Sequence, residues 1–112
     1  MNRTELQNEL MKIGASPDSF SLYGELRPGI IISQEDGKWV VHSRDDRGCP
    51  AGAIFRYDSE EKACIHIYNK LKKIVDWHVK CFNETPLEAW FEVKGKNYDR
   101  GWDKLRDGED II

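Results

Sequence analysis

Asp58-Ser59-Glu60-Glu61-Lys62-Ala63-Cys64-Ile65-His66-Ile67-Tyr68-Asn69-Lys70-Leu71-Lys72-Lys73-Ile74-Val75-Asp76-Trp77-His78-Val79 is the stretch that decides the fold. Asp58 with Glu61 three residues on has the spacing of a helix start, where a short polar side chain accepts from an otherwise unpaired N–H of the first turn. Cys64, Ile67, Tyr68, Leu71, Ile74 and Val75 then recur at three- and four-residue steps, which makes one face of a helix apolar. The spacing predicts a helix over 59–79. Its apolar stripe must be covered, and the residues before it supply the cover.

Upstream lie three runs bounded by turn formers. Residues 29–34 contain Ile30, Ile31 and Ile32, whose β-branched side chains favour a pleated backbone. Glu35-Asp36-Gly37 then leads into 38–43, and an Asp-Gly pair between apolar runs is a strong hairpin signal. A third run, 51–57, follows a loop of Asp45, Asp46, Arg47, Gly48, Cys49 and Pro50. An antiparallel meander packed on the helix is the economical arrangement, with Trp39, Val41, Phe55, Ile67, Leu71 and Ile74 as its core.

Toward the N-terminus, Asn2 and Thr4 stand three residues ahead of Glu5 and Gln7, and Leu6, Leu10 and Ile13 follow at helical spacing. These predict a short helix over 4–13, stopped by Gly14. The mixture of turn formers and large apolar residues in 16–24 reads as an ordered connection pinned to the core. Toward the C-terminus, 87–93 fits a fourth strand or a short helix begun by Thr85-Pro86, and the strand is the favoured reading. The charged segment 98–112 is where mobility is expected. The fold class expected is therefore α+β: three to four antiparallel strands on one long helix, with a short N-terminal helix.

A chain of 112 residues is long enough for one core and too short for two of ordinary size, so 1–112 reads as a single domain. Twenty acids against seventeen bases leave a net charge of −3, which is a poor footprint for phosphate binding and a better one for meeting a basic protein. No run approaches the roughly 20 apolar residues of a membrane span, and the N-terminus has no apolar signal core. The cytoplasm is the expected location. Cys49, Cys64 and Cys81 are odd in number and read as reduced thiols.

Catalytic chemistry finds little support. Cys64, His66, His78 and Cys81 are zinc-binding residue types, but Cys64 and His78 on one helix are about 21 Å apart, so they cannot share an ion. Cys49 and His42 form a thiol and imidazole pair with no orienting group beside them. No phosphate loop is present, because the glycines at 48 and 52 lack the following lysine and helix. Lys70, Lys72 and Lys73 read first as a solvated helix face. No enzyme, cofactor or metal is expected, and the chain reads as a protein that works by binding.

The segments Pro17-Asp18-Ser19-Phe20-Ser21-Leu22-Tyr23-Gly24, Gly37-Lys38-Trp39, Arg47-Gly48, and Phe55 with Asp58-Ser59-Glu60-Glu61-Lys62-Ala63-Cys64 resemble small immunity proteins of bacterial polymorphic and contact-dependent toxin systems. The resemblance covers about half the chain and its motifs are structural. It implies a cytoplasmic protein that binds a cognate toxin domain, often a nuclease, and blocks its cleft without chemistry of its own.

An acidic inhibitor can set carboxylates where a nuclease's phosphates would sit. Glu35 and Asp36 in the hairpin turn, Asp45 and Asp46 in the next loop, and Asp99, Asp103, Asp107, Glu109 and Asp110 in the tail are the candidates. Trp90, read first as core, is the aromatic candidate. A non-catalytic adaptor is the alternative function. A nucleic-acid module is disfavoured by charge.

Overall fold

The computed structural model describes residues 1–47 and 49–94. Helix α1 is Arg3–Ile13. Asn2 is its cap: the Asn2 Oδ1 accepts from the Glu5 N–H at 2.8 Å, and the Glu5 carboxylate accepts from the Asn2 N–H at 3.3 Å. Gly14 ends the helix at φ 87°, and the Ala15 N–H closes back on the Leu10 carbonyl at 2.9 Å. The connection that follows is ordered, as expected. A single 3-10 turn, Pro17–Ser19, feeds strand β1, Phe20–Ser21, with Phe20 and Leu22 buried.

Strands β2, Gly29–Glu35, β3, Lys38–Arg44, and β4, Pro50–Tyr57, form the expected meander, each antiparallel to the next. Asp36 and Gly37 both have positive φ, 50° and 76°, which is the backbone a two-residue hairpin turn demands. The purely antiparallel expectation is corrected at one edge. β1 pairs with β2 in parallel, Phe20 beside Ile30, so the sheet is mixed in the order β1-β2-β3-β4. Two residues are too short a run to carry a strand pattern in sequence. The three successive isoleucines of β2 are all buried, as in strands covered on both faces.

Helix α2 is Glu60–Phe82. Its cap is Ser59, one residue later than the Asp58 reading, with the hydroxyl accepting from the Lys62 N–H at 3.3 Å. Asp58 pairs with Lys38 instead, and that contact holds the Asp58 carboxyl below its ordinary value. The strand expectation for 87–93 is also corrected. Those residues lie in helix α3, Pro86–Lys94, begun by a reciprocal cap: Thr85 Oγ1 accepts from the Glu88 N–H and Glu88 Oε1 from the Thr85 N–H, both at 3.2 Å. Pro86 occupies the first helical position, where a missing N–H costs nothing.

The core lies between the sheet and the helices. Leu6 and Leu10 of α1, Ile30 and Ile32 of β2, Val41 of β3, and Cys64, Ile67 and Leu71 of α2 form one buried cluster. Trp39 packs partly against it. Phe55 and Ile74, expected inside, are exposed by 39% and 46%. Phe55 sits on the last strand of the sheet, and Ile74 lies on a flank of α2 that no strand covers. Arg3 fastens the layers together: its Nε is 3.0 Å from Glu60, and its guanidinium lies 5.1 Å from the ring centroids of both Tyr23 and Trp39.

Candidate functional site

Along the free edge of the sheet, β4 and α2 make a trough. Residues opposite one another in the β3–β4 pairing share a face, so Phe55 and Tyr57 point the same way as Val41 and Trp39, toward the helix layer. On α2, positions 62, 66, 70, 73 and 77 follow one another at three- and four-residue steps and line one flank. Where the two meet is an open groove of about 640 Å³. Phe55, Tyr57 and His66 form its aromatic floor, and Lys62, Lys70 and Lys73 rise around it.

His66 is the centre of this floor. Its ring is 4.4 Å from that of Phe55 and 5.6 Å from that of Tyr57, and its Nδ1 is hydrogen-bonded to the Tyr57 hydroxyl. Burial, and then the Lys70 charge, hold the imidazole below its ordinary value, so the neutral form is favoured. No carboxylate lines the groove, and Lys62, Lys70 and Lys73 form no ion pair among the described residues. The site is therefore apolar at its base and positive at its rim.

Trp77 continues this flank toward the helix end, and Phe82, turned about 140° from it around the helix, brings its ring back to it. The last buried residue of α2 is Val75, so its final turns overhang the packed core. Trp77 and Phe82, both 60% exposed, stand on the overhang with their rings 6.2 Å apart and edge to face. Side chains of this size left in water are informative when they cluster.

The acidic candidates are dispersed. Glu35 and Asp36 are exposed at one end of β3 and Asp45 and Asp46 at the other, about 20 Å away along the strand, so the four do not make one patch. Asp45 shapes its own loop, because its Oδ1 accepts from the Arg47 and Cys49 N–H groups at 2.9 and 3.0 Å. Trp90 is buried, and its Nε1 donates to Asp18 at 3.1 Å, leaving Phe91 as the exposed ring beside it. Asp99, Asp103, Asp107, Glu109 and Asp110 lie outside the described residues.

Cys64 is enclosed in the core, where burial pushes its thiol up to about 11, while His66 sits on the β4 flank. Cys49 and Cys81 are exposed free thiols. Among the described residues no group of three His, Cys, Asp or Glu is placed to hold a metal ion, and no helix is long and apolar enough to cross a membrane. The groove's residues were legible only in part. The recurrence of Lys62, His66, Lys70 and Lys73 on one flank was there to be read, but the lysines alone suggest a solvated face. Compared with family models, with curated proteins and with solved structures, the chain matches none.

Proposed function

We propose that this protein acts by binding another protein through the α2–β4 flank, as an immunity-type inhibitor that covers the cleft of a cognate toxin domain, a nuclease in the simplest case. The observation that carries the binding surface is the exposure of large rings along α2 and its neighbouring strand: Phe55 in the groove, and Trp77 with Phe82 in edge-to-face contact near the end of the helix. Tryptophan and other large rings dominate the energetics of protein interfaces, because they bury much area while fixing few torsions. The immunity role rests on the resemblance of 16–71 to proteins of that kind. Inhibition by coverage needs no group transfer, so no catalytic residue is assigned.

The test is co-expression with the toxin encoded beside the gene, together with binding measured on purified proteins. Rescue from that toxin and from no unrelated one is the expected result. Trp77→Ala with Phe82→Ala should weaken binding by at least about 2 kcal/mol, roughly thirty-fold, with the melting temperature little changed. A complex that forms equally well with both rings removed places the interface elsewhere. If no neighbouring toxin is neutralised, the immunity role fails and a non-catalytic adaptor takes its place.

A further inference from the structure

The edge of the sheet and the flank of α2 run side by side, and each offers groups without a hydrogen-bond or ion-pair partner among the described residues: the outward backbone of β4, and the ammonium groups of Lys70 and Lys73. β4 is the last strand of the order β1-β2-β3-β4, and its residues from Pro50 to Arg56 are exposed. An edge strand keeps alternate N–H and C=O groups turned outward, away from its own sheet. Extra residues often blunt such an edge, and here they fall in the first half of β4. Between the pairs Ser43–Ala51 and Val41–Phe55, β4 advances four residues while β3 advances two, with Gly52 at φ 77°. Beyond that bulge Phe55, Arg56 and Tyr57 pair regularly with Val41, Val40 and Trp39. The regular half of the edge is the half that borders the groove.

We propose that the Phe55–Tyr57 edge takes an extended acidic segment of the partner protein as an added strand, its carboxylates among Lys62, Lys70 and Lys73 and an apolar side chain seated on Phe55 and His66. This rests on the protein-binding reading above and specifies the chemistry of the bound segment. Main-chain hydrogen bonds along the edge supply affinity without regard to sequence, and the groove selects the side chains. A strand turns every second side chain to the same face, so an apolar residue with an acid two positions to either side meets the ring floor and the lysine rim together. Charge complementarity commits the segment to an acidic one, because the groove's rim is basic and no carboxylate among the described residues lines it.

A single-stranded nucleic acid also seeks basic and aromatic grooves, but the rings here are poorly set for it. Phe55 is tilted 54° to the imidazole and Tyr57 stands at 68° to it, so the three do not offer parallel faces for stacked bases. The net charge of −3 also opposes a long polyanion. A peptide, unlike a nucleic acid, matches the free backbone groups of β4.

The full chain is titrated with a fluorescein-labelled peptide of about ten residues in which every second position runs glutamate, phenylalanine, glutamate, with threonine at the positions between. Three comparison probes are the same peptide with glutamine for glutamate, the same peptide with N-methylated amides at alternate positions, and a single-stranded oligothymidylate. The acidic peptide should bind at least about ten-fold more tightly than the glutamine and N-methylated forms. Lys70→Glu with Lys73→Glu should remove that preference and leave the melting temperature within a few degrees of wild type. Equal binding of the acidic and glutamine peptides overturns the proposal, and so does a preference that survives both charge reversals. Tight oligothymidylate binding that falls steeply with salt overturns it in favour of a nucleic-acid groove. The lysine variant is also tested against the neighbouring toxin. Undiminished toxin binding by that variant sinks the added strand and leaves the protein-binding function standing. A toxin that wild type itself does not bind removes the immunity role, while the peptide titration still decides the groove.

Discussion

Leu71 and Ile74 are three positions apart on α2 and look equally apolar in sequence, yet only one is in the core. Leu71 is 1% exposed and belongs to the buried cluster. Leu71→Ala should therefore cost about 2–5 kcal/mol in denaturant unfolding, whereas Ile74→Ala should cost less than about 1 kcal/mol. Equal losses would show that the overhang of α2 is covered in solution. His66 makes a prediction in pH. Tyr57 from β4 and Lys62, Lys70 and Lys73 from α2 face the imidazole, which burial and Lys70 hold below the ordinary 6.5. The unfolded chain then binds the proton more readily, so this contribution is complete above about pH 6.5 and is lost as pH falls through the lower folded value. The stability difference between wild type and His66→Gln should shift against wild type between about pH 7.5 and about pH 5.5. A constant difference would mean that the imidazole is solvated.

Among the elements, the C-terminal end of α1 is tied to the start of α3 at Gly14. Its φ is 87°, the Leu87 N–H donates to its carbonyl at 2.9 Å, and a Cβ built there would lie 2.6 Å from the Thr85 side chain. Gly14→Ala thus meets both a left-handed backbone and a crowded neighbour. It should cost clearly more than Gly37→Ala, where the left-handed backbone at φ 76° costs about 1 kcal/mol and no described atom is near. A similar loss at both sites would mean that backbone strain alone sets the cost. The helix start at Asn2 was legible because capping is a local contact three residues long. The start of α3 was equally local, since Thr85-Pro86-Leu87-Glu88 spells a cap with proline in the first turn. The competing strand reading of 87–93 rests on Trp90 and Phe91, whose rings favour a pleated backbone. Propensity describes a fit to a half-buried surface, and here the contact of Leu87 with Gly14 and of Trp90 with Asp18 decided the matter.

At the scale of the molecule, charge is distributed so that the acids and the basic groove occupy different sites. Glu35 and Asp36 sit at the hairpin end of the sheet and Asp45 and Asp46 at the opposite end, so any single partner surface of ordinary size reaches one pair more readily than both. Neutralising each pair separately, with Asp45 changed to Asn to preserve its two accepted hydrogen bonds, should slow association with a partner for whichever pair lies at the rim. Charge reversal at Lys70 and Lys73 should instead act mainly on dissociation, because groups seated in a groove are desolvated in the complex. Stopped-flow rates at low and high salt check both expectations. A complex whose on-rate ignores both acidic pairs has no need of acidic mimicry at those loops.

By itself the sequence determined what local physics can determine: two capped amphipathic helices, a hairpin turn at Asp36-Gly37, three strands in order, and a core that includes Val41, Ile67 and Leu71. Each depends on contacts only a few residues apart or on a period of two or 3.6, and a period survives without knowledge of the neighbours. Tertiary structure alone decided that β1 adds in parallel, that β4 is the outermost strand of the described sheet, and that the buried stripe of α2 ends at Val75. Those outcomes depend on which surfaces meet and where one element ends against another. The same fact explains why Phe55 and Ile74, apolar at core spacing, stand exposed. Apolar side chains on an amphipathic helix or an alternating strand are buried only as far as a partner extends, and the edge of that partner is not encoded within either segment.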